Sequence, residues 1–342
     1  MTSDYVKPLL YVPHTSLDVF WNFGLESFFV QKKRIEDHAI FLFWRTSPTL
    51  MLGRYQNALA EINADYVRER DITLVRRKSG GGTIYTDENT FQYSYIQAQS
   101  SEEIEFRNFV KPVLAALQNL GIPAEFNGRN DLVAHGRKFS GAAQYKEKGY
   151  VVHHGSLLFD TNIEAMVEST SVPDYKLIDK GIRSVRERVI NLKEALPAER
   201  QDMSVGEFEA YMVDYLCAVD GGGLETYELS QGEIAEAERI GEEQYRSAEN
   251  LWKRNPEFSQ IIEKRLPGGF VRVHLNVKKG IIKECKIEGD FFANIVPEEF
   301  SLALKDCPYR QDSLMNALQG AGFTNSFYRI SLQDLVELVC QV

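Results

Sequence analysis

The chain has 342 residues, 44% hydrophobic and 26% charged, the composition of a globular protein large enough for two domains. Its formal net charge of −10 argues against nonspecific binding to nucleic acid or an anionic membrane, and no run approaches the roughly eighteen apolar residues of a membrane-spanning helix. The N-terminus lacks a basic stretch followed by an apolar core, and Cys217, Cys285, Cys307 and Cys340 form no C-x-x-C pair, so the expectation is a cytoplasmic protein without a disulfide framework or zinc site.

A helix is expected over 17–30, capped by Ser16, with Leu17, Phe20, Trp21 and Phe28 on a broad apolar face. Apolar runs at 39–44 and 49–53 around Ser47-Pro48 read as strand, turn, strand. A strand at 72–76 leads into three glycines. Runs at 83–85 and 91–96 flank residues 86–90, the pattern of a hairpin. A helix at 103–120 stops at Gly121. Strands follow at 131–134, 137–145 and 150–159, with turns at His135-Gly136 and 146–149. Bunched strands with helices outside them indicate an α+β fold with much antiparallel pairing. Residues 172–194 are basic and aperiodic, the character of a binding loop or lid. Helices are expected at 204–218 and 231–248. After Asn255-Pro256 the pattern becomes a three-stranded meander at 257–265, 270–277 and 280–288, then helices at 298–304, 312–318 and 332–339. The expected organisation is a large domain over 1–248, a linker over 249–255 and a small α+β domain over 256–342.

Five segments carry chemistry. Arg76-Arg77-Lys78-Ser79-Gly80-Gly81-Gly82 places bare backbone beside cations, a suitable wall for an anionic ligand. It is neither a Walker A loop, since no Lys-Ser/Thr follows Gly82, nor a dinucleotide fingerprint, since Tyr85 stands where a glycine is required. In Gly128-Arg129-Asn130-Asp131 the carboxylate could hold a metal–nucleotide complex. In Gly136-Arg137-Lys138-Phe139-Ser140-Gly141, regular alternation puts Lys138 and Ser140 on one strand face, where the ammonium can neutralise developing charge. In His153-His154-Gly155 the histidines face opposite ways and cannot chelate one metal. One is expected to be buried and the other to stand near the site. The basic run over 176–191 reads on its own as a solvated loop, and beside an anionic ligand as a lid. No cysteine falls in these segments, so a cysteine nucleophile is unsupported.

Taken in order, these segments resemble the lipoate–protein ligase family. Its pattern R-R-x-S-G-G-G-x-V-Y-x-D, G-R-N-D, G-[RK]-K-x-S-G-x-A, H-H-G-[ST]-L-L and K-x-x-S-x-R-x-R-V-x-N recurs here from Arg76 to Asn191. Asn22-Phe23-Gly24-Leu25-Glu26 resembles the family's first-helix segment, and Arg265-Leu266-Pro267-Gly268-Gly269 its accessory domain. Thr86 departs from the histidine of many members. The resemblance implies a catalytic domain of the biotin/lipoate protein ligase type with a largely antiparallel mixed sheet. It also implies adenylation of lipoate by ATP with Mg²⁺, then transfer to a lysine of lipoyl domains of 2-oxoacid dehydrogenases or the glycine cleavage H protein. Lys138 would be the central catalytic cation, and Asn130 and Asp131 would serve the adenylate and Mg²⁺. Arg77, Ser79, Gly80, Gly81, Gly82 and Tyr85 would wall the lipoate, with Trp44, Ser140, Gly141, His154 and Gly155 in the same pocket. Lys180, Ser184 and Arg188 would belong to the lid, and the accessory domain is expected to move. The alternatives are an ATP-independent lipoyl or octanoyl amidotransferase and a non-catalytic binder of lipoylated proteins. Biotin ligation is disfavoured, because no G-R-G-R-x-[GR] loop is present.

Overall fold

The computed structural model describes residues 7–56, 58–99, 104–128, 130–170, 185–218, 225–246, 260–278 and 280–340. The expected linker at 249–255, Lys180 and Ser184 lie outside them. In chain order the first elements are β1 (Leu9–Tyr11), α1 (Val19–Phe28), β2 (Ala39–Trp44), β3 (Thr49–Leu52), α2 (Ala58–Glu61), α3 (Ala64–Glu69), β4 (Thr73–Arg76), β5 (Ile84–Thr86) and β6 (Thr90–Ala98). Then come α4 (Arg107–Asn119), β7 (Ala124–Asn127), β8 (Asp131–Ala134), β9 (Arg137–Glu147), β10 (Tyr150–Leu158), α5 (Ile163–Thr170), α6 (Leu192–Ala195), α7 (Val205–Ala218) and α8 (Gln231–Gln244). The last group is β11 (Gln260–Leu266), β12 (Gly269–Lys278), β13 (Ile281–Gly289), α9 (Pro297–Leu304), α10 (Gln311–Gly320) and α11 (Leu332–Val339). The class is α+β, as the bunched strands predict.

A seven-stranded sheet in the order β1-β2-β6-β10-β9-β8-β7 forms the body. Its β1–β2 pair is parallel and the other pairs are antiparallel. Strand alternation sorts its side chains into two cores. Phe41, Phe43, Phe91, Tyr93 and Tyr95 pack with Phe109 of α4 and Phe208 of α7. Ile40, Leu42, Trp44, Ile96 and Val152 pack with Phe23 of α1 and Ile240 of α8. Each fully buried side chain of this kind contributes about 1.5–3 kcal/mol of transfer free energy. Helices α1 and α8 cross on glycines. A Cβ on Gly24 would lie 2.1 Å from the Ala237 carbonyl oxygen, and one on Gly241 would lie 2.4 Å from that of Phe20. The cap of α1 is Asp18, which accepts from the Phe20 N–H at 2.8 Å, and not the expected Ser16. Ser16 sits one step earlier and accepts from the Asp18 N–H.

The strands at 39–44 and 49–53 form as expected but in different sheets, and the expected hairpin at 86–90 is absent. β2 joins the large sheet, whereas β3 lies in a separate sheet in the order β4-β3-β5. β5 pairs with β3 while β6 pairs with β2 and β10, so residues 86–90 carry the chain between sheets and close no hairpin. The turns at His135-Gly136 and Lys148-Gly149 do close hairpins. Their φ values of 50°, 71°, 51° and 78° are positive at both central positions, which gives a two-residue turn the twist of its strands.

A bulge interrupts the β8–β9 ladder. Leu132 pairs with Ser140 and Val133 with Lys138, which leaves Phe139 as an extra residue. Beyond Ala142, β9 also parts from β10. Its outer half is bridged by Val189, and the Ile190 N–H donates to the Lys138 carbonyl at 2.9 Å.

Residues 260–340 form an antiparallel β11-β12-β13 sheet covered by α9, α10 and α11. Tyr55 of the large body plugs this second core. Its ring stacks on Phe291 at 4.6 Å, and its hydroxyl donates to the carbonyls of Ala293 and Ile295. The N–H of Gly81 donates to the Phe291 carbonyl at 3.0 Å, which ties the glycine turn to the accessory body.

Candidate active site

A cavity of about 420 Å³ opens on the α1–α8 side of the large sheet. Phe23, Trp44, Met51 and Ile84 make its apolar part. Asn130, Asp131 and Lys138 make a polar part, and Arg265, Leu266, Pro267, Gly269, Asp290 and Phe292 of the accessory body complete the wall.

Lys138 reaches the cavity because of the bulge. Regular alternation would put it beside Ser140. Instead a Cβ built on Gly141 would lie 3.2 Å from its Nζ, so Lys138 shares a side with Gly141. Ser140 is buried and absent from the lining, against the expectation for it. The ammonium pairs with Asp131 Oδ1 at 2.7 Å, with both side chains substantially exposed, so the pair itself adds little stability. Asn130 is held by an Nδ2 hydrogen bond to the Ala142 carbonyl at 2.6 Å.

The glycine turn is organised by Arg77. Its Nη1 donates to the Met51 carbonyl at 2.7 Å, and its Nη2 to the carbonyls of Gly80 and Gly82 at 2.8 and 2.7 Å. Burial, then the neighbouring Arg76, lowers its pKa to about 9, and it remains cationic near neutral pH. The charge expected to meet a ligand is thus largely spent on folding the turn. Lys78 points behind the turn to Glu147 at 2.8 Å and Ser27 at 3.2 Å, and burial lowers its pKa.

A buried chain of hydrogen bonds links the turn to the apolar wall. Trp44 Nε1 donates to Ser94 Oγ at 3.1 Å, and Ser94 donates to Glu26 Oε1 at 2.6 Å. His154 Nδ1 lies 3.3 Å from the same Glu26 oxygen, and its Nε2 lies 2.7 Å from Ser79 Oγ. Arg77 Nε donates to Ser79 Oγ at 3.1 Å. With the proton on Nδ1 of His154, every donor in this chain meets an acceptor. The indole of Trp44 and the guanidinium of Arg77 stand at its two ends, with the carboxylate of Glu26 between them. His153 faces the opposite core, stacked on Phe109 at 4.9 Å with burial holding its pKa well below the usual value.

Of the expected site residues, Trp44, Arg77, Gly81, Gly82, Asn130, Asp131, Lys138, Gly141, His154 and Gly155 line the cavity. Ser79 and Gly80 stand behind it, Gly80 beneath the Phe291 carbonyl. Tyr85 does not line it. Ile84 does, and alternation turns Tyr85 into a satellite core with Leu50, Leu52 and Ile62. Arg188 is exposed and off the lining. Thr86 is buried, 2.7 Å from the Thr46 hydroxyl, and does not touch the cavity. Sequence reasoning missed the roles of Phe23, Glu26, Met51, Ile84 and Gln92 and of the accessory residues. The Nε2 of Gln92 is buried in the wall without a partner among the described residues, a donor that a ligand oxygen or sulfur could use. No group of three or more His, Cys, Asp or Glu among the described residues could hold a metal unaided. Asp131 fits a magnesium ion that arrives with phosphate ligands.

The family model Lipoyl protein ligase A/B catalytic domain matches residues 18–217, and Bacterial lipoate protein ligase C-terminus matches 255–339. Lipoate-protein ligase LplJ of Bacillus subtilis is 35% identical over 320 residues, 93% of this chain and 96% of that protein. P. falciparum LipL1, solved in complex with lipoate, shares the fold with a TM-score of 0.81 over 98% of this chain and 100% of that one, at 19% identity. A lipoate-protein ligase A bound with ATP gives a TM-score of 0.61 over 72% of this chain and 99% of that one, at 23% identity. The ordered motifs, the cavity they line and these two family matches agree, and the chain belongs to the lipoate–protein ligase family.

Proposed function

We propose that this enzyme is an ATP-dependent lipoate–protein ligase, which converts lipoate to lipoyl-AMP and passes the lipoyl group to a lysine of an acceptor lipoyl domain. The observation that carries the reading is the polarity of the cavity. Its apolar part, Phe23, Trp44, Met51 and Ile84, suits an acyl chain with a dithiolane, and its polar part presents the Lys138 ammonium to the carboxylate. A carboxylate resists attack by an amine, so it must first become a mixed anhydride. Lys138 would offset the charge of the carboxylate and α-phosphate as that anhydride forms, and again as the acceptor amine displaces AMP. Asp131 would release Lys138 and take the Mg²⁺ that ATP carries, and Asn130 would hold the adenylate. The accessory wall would keep water from the anhydride. The domains are taken as 1–248 and 256–342, joined by 249–255. The acceptors are lipoyl domains of 2-oxoacid dehydrogenases and the glycine cleavage H protein, and the compartment is the cytoplasm.

A relative of the same fold binding ATP supports the nucleotide-dependent reading over an ATP-independent amidotransferase. So does the absence of Cys217, Cys285, Cys307 and Cys340 from the cavity, which leaves no thiol for an acyl-enzyme. The protein should catalyse lipoate-dependent exchange of radioactive pyrophosphate into ATP. Lys138→Ala should lower this exchange by about 100-fold or more. Lipoylation of an acceptor from another lipoylated protein, with no exchange, would favour the amidotransferase.

A further inference from the structure

The arginines and lysines that line the cavity among the described residues are Arg77, Lys138 and Arg265. A triphosphate is strongly anionic, and its transfer chemistry is carried by cations placed around it. Arg77 is committed to the Met51, Gly80 and Gly82 carbonyls and to Ser79. Lys138 is one point charge. The remaining cation comes from the other body. Arg265 is the penultimate residue of β11, opposite Phe270 across a tight hairpin. Its side chain is 70% exposed and pairs with Asp290 at 3.2 Å, and Asp290 also lines the cavity. The cavity therefore carries two loose cation–carboxylate pairs, Lys138–Asp131 and Arg265–Asp290, one from each body.

The platform under Arg265 is firm although its side chain is not. Asp290 accepts from the Phe270 N–H, and a Cβ on Gly268 would lie 2.1 Å from the Tyr328 carbonyl oxygen, so the hairpin sits hard on the accessory core. The Gly81–Phe291 hydrogen bond and the Tyr55 plug set that core against the glycine turn. A fork of N–H donors on a fixed base, held by a weak surface pair, is suited to exchange one carboxylate for phosphate oxygens.

We propose that Arg265 is a catalytic residue of the activation half-reaction, an arginine that the accessory domain supplies to the β- and γ-phosphates of ATP. This rests on the ligase reading above. In the step, a lipoate carboxylate oxygen bonds to the α-phosphorus and the bond from that phosphorus to the β-bridging oxygen breaks. The electron pair leaves with pyrophosphate, and Arg265 offsets the growing charge on it without transferring a proton. The second half-reaction has no pyrophosphate and does not use Arg265.

The test separates the two halves. In Arg265→Ala, lipoate-dependent pyrophosphate exchange should fall about 100-fold, and calorimetric binding of α,β-methylene ATP should weaken about tenfold. Transfer from chemically prepared lipoyl-AMP to a lipoyl domain should stay within about twofold. Arg265→Lys should recover part of the exchange. Exchange and nucleotide binding unchanged in Arg265→Ala overturn the proposal alone. An equal loss of both halves, unrepaired by lysine, marks a structural residue and overturns it too. A wild-type chain with no exchange at all overturns the ligase reading and this proposal together.

Discussion

His153 and His154 are adjacent in β10 and belong to different environments. The sequence states that they face opposite ways, but their partners come from α1, α4 and the glycine turn, and no local pattern specifies those. Glu26 is the clearest case. It lies within a recognisable helix segment, yet its task of holding His154 and Ser94 follows only from the packing of α1 on the sheet. His153 has a consequence for stability. The folded state holds it neutral by burial, with a pKa well below the usual histidine value. An unfolded chain takes up a proton as pH falls below about 6.5. This contribution is therefore full above that pH and is lost as pH drops toward the folded value, at about 1 kcal/mol per pH unit. His153→Gln should flatten the fall of urea midpoints between about pH 6.5 and pH 5 by that slope, whatever its cost at neutrality. An unaltered slope would refute the assignment.

Among the elements, the hairpins at His135-Gly136 and Lys148-Gly149 were legible because a two-residue turn with glycine second is a local instruction. The division of β2 from β3, and of β5 from β6, was not. Alternation and turn residues identify strands without naming their neighbours. The bulge at Phe139 was equally hidden, and it reverses which residue accompanies Lys138. The contact of α1 with α8 depends on Gly24 and Gly241, where backbone meets backbone. Because α1 carries Phe23 to the cavity and Glu26 to the hydrogen-bond chain behind it, and Tyr245 after α8 stacks on Phe23 at 5.2 Å, this crossing sets part of the wall. Gly241→Ala should force the helices apart and cost about 1–3 kcal/mol of stability. It should also raise the KM for lipoate more than that for ATP. A thermal midpoint and both KM values at wild-type level would show that the crossing yields without strain.

At the scale of the whole molecule, the three-stranded meander and the helices that follow it were legible from the change of texture after Pro256. The joint construction of the cavity was not, since nothing within 260–340 announces which of its surfaces meets Gly81. Arg265, Asp290 and Phe292 close the cavity in the arrangement described. On the ligase reading proposed above, an acceptor domain would bring a lysine to the same place, so the accessory body is expected to swing aside once the adenylate has formed. Solution scattering should change between the free enzyme and the enzyme holding a non-hydrolysable lipoyl-AMP analogue. Identical curves would count against the movement. Undocking draws Tyr55 out of the accessory core, and leaving such a ring exposed costs about 1.5–3 kcal/mol, a penalty that tight binding of the adenylate would have to offset. The same plug bears on synthesis. Tyr55 leaves the ribosome about 240 residues ahead of Phe291, Ala293 and Ile295, which enclose it. The nascent C-terminal region therefore completes its core only by docking on a residue made long before it. A chain released early would expose both the tyrosine and the cavity wall, and would be recognisable to proteases as unfinished.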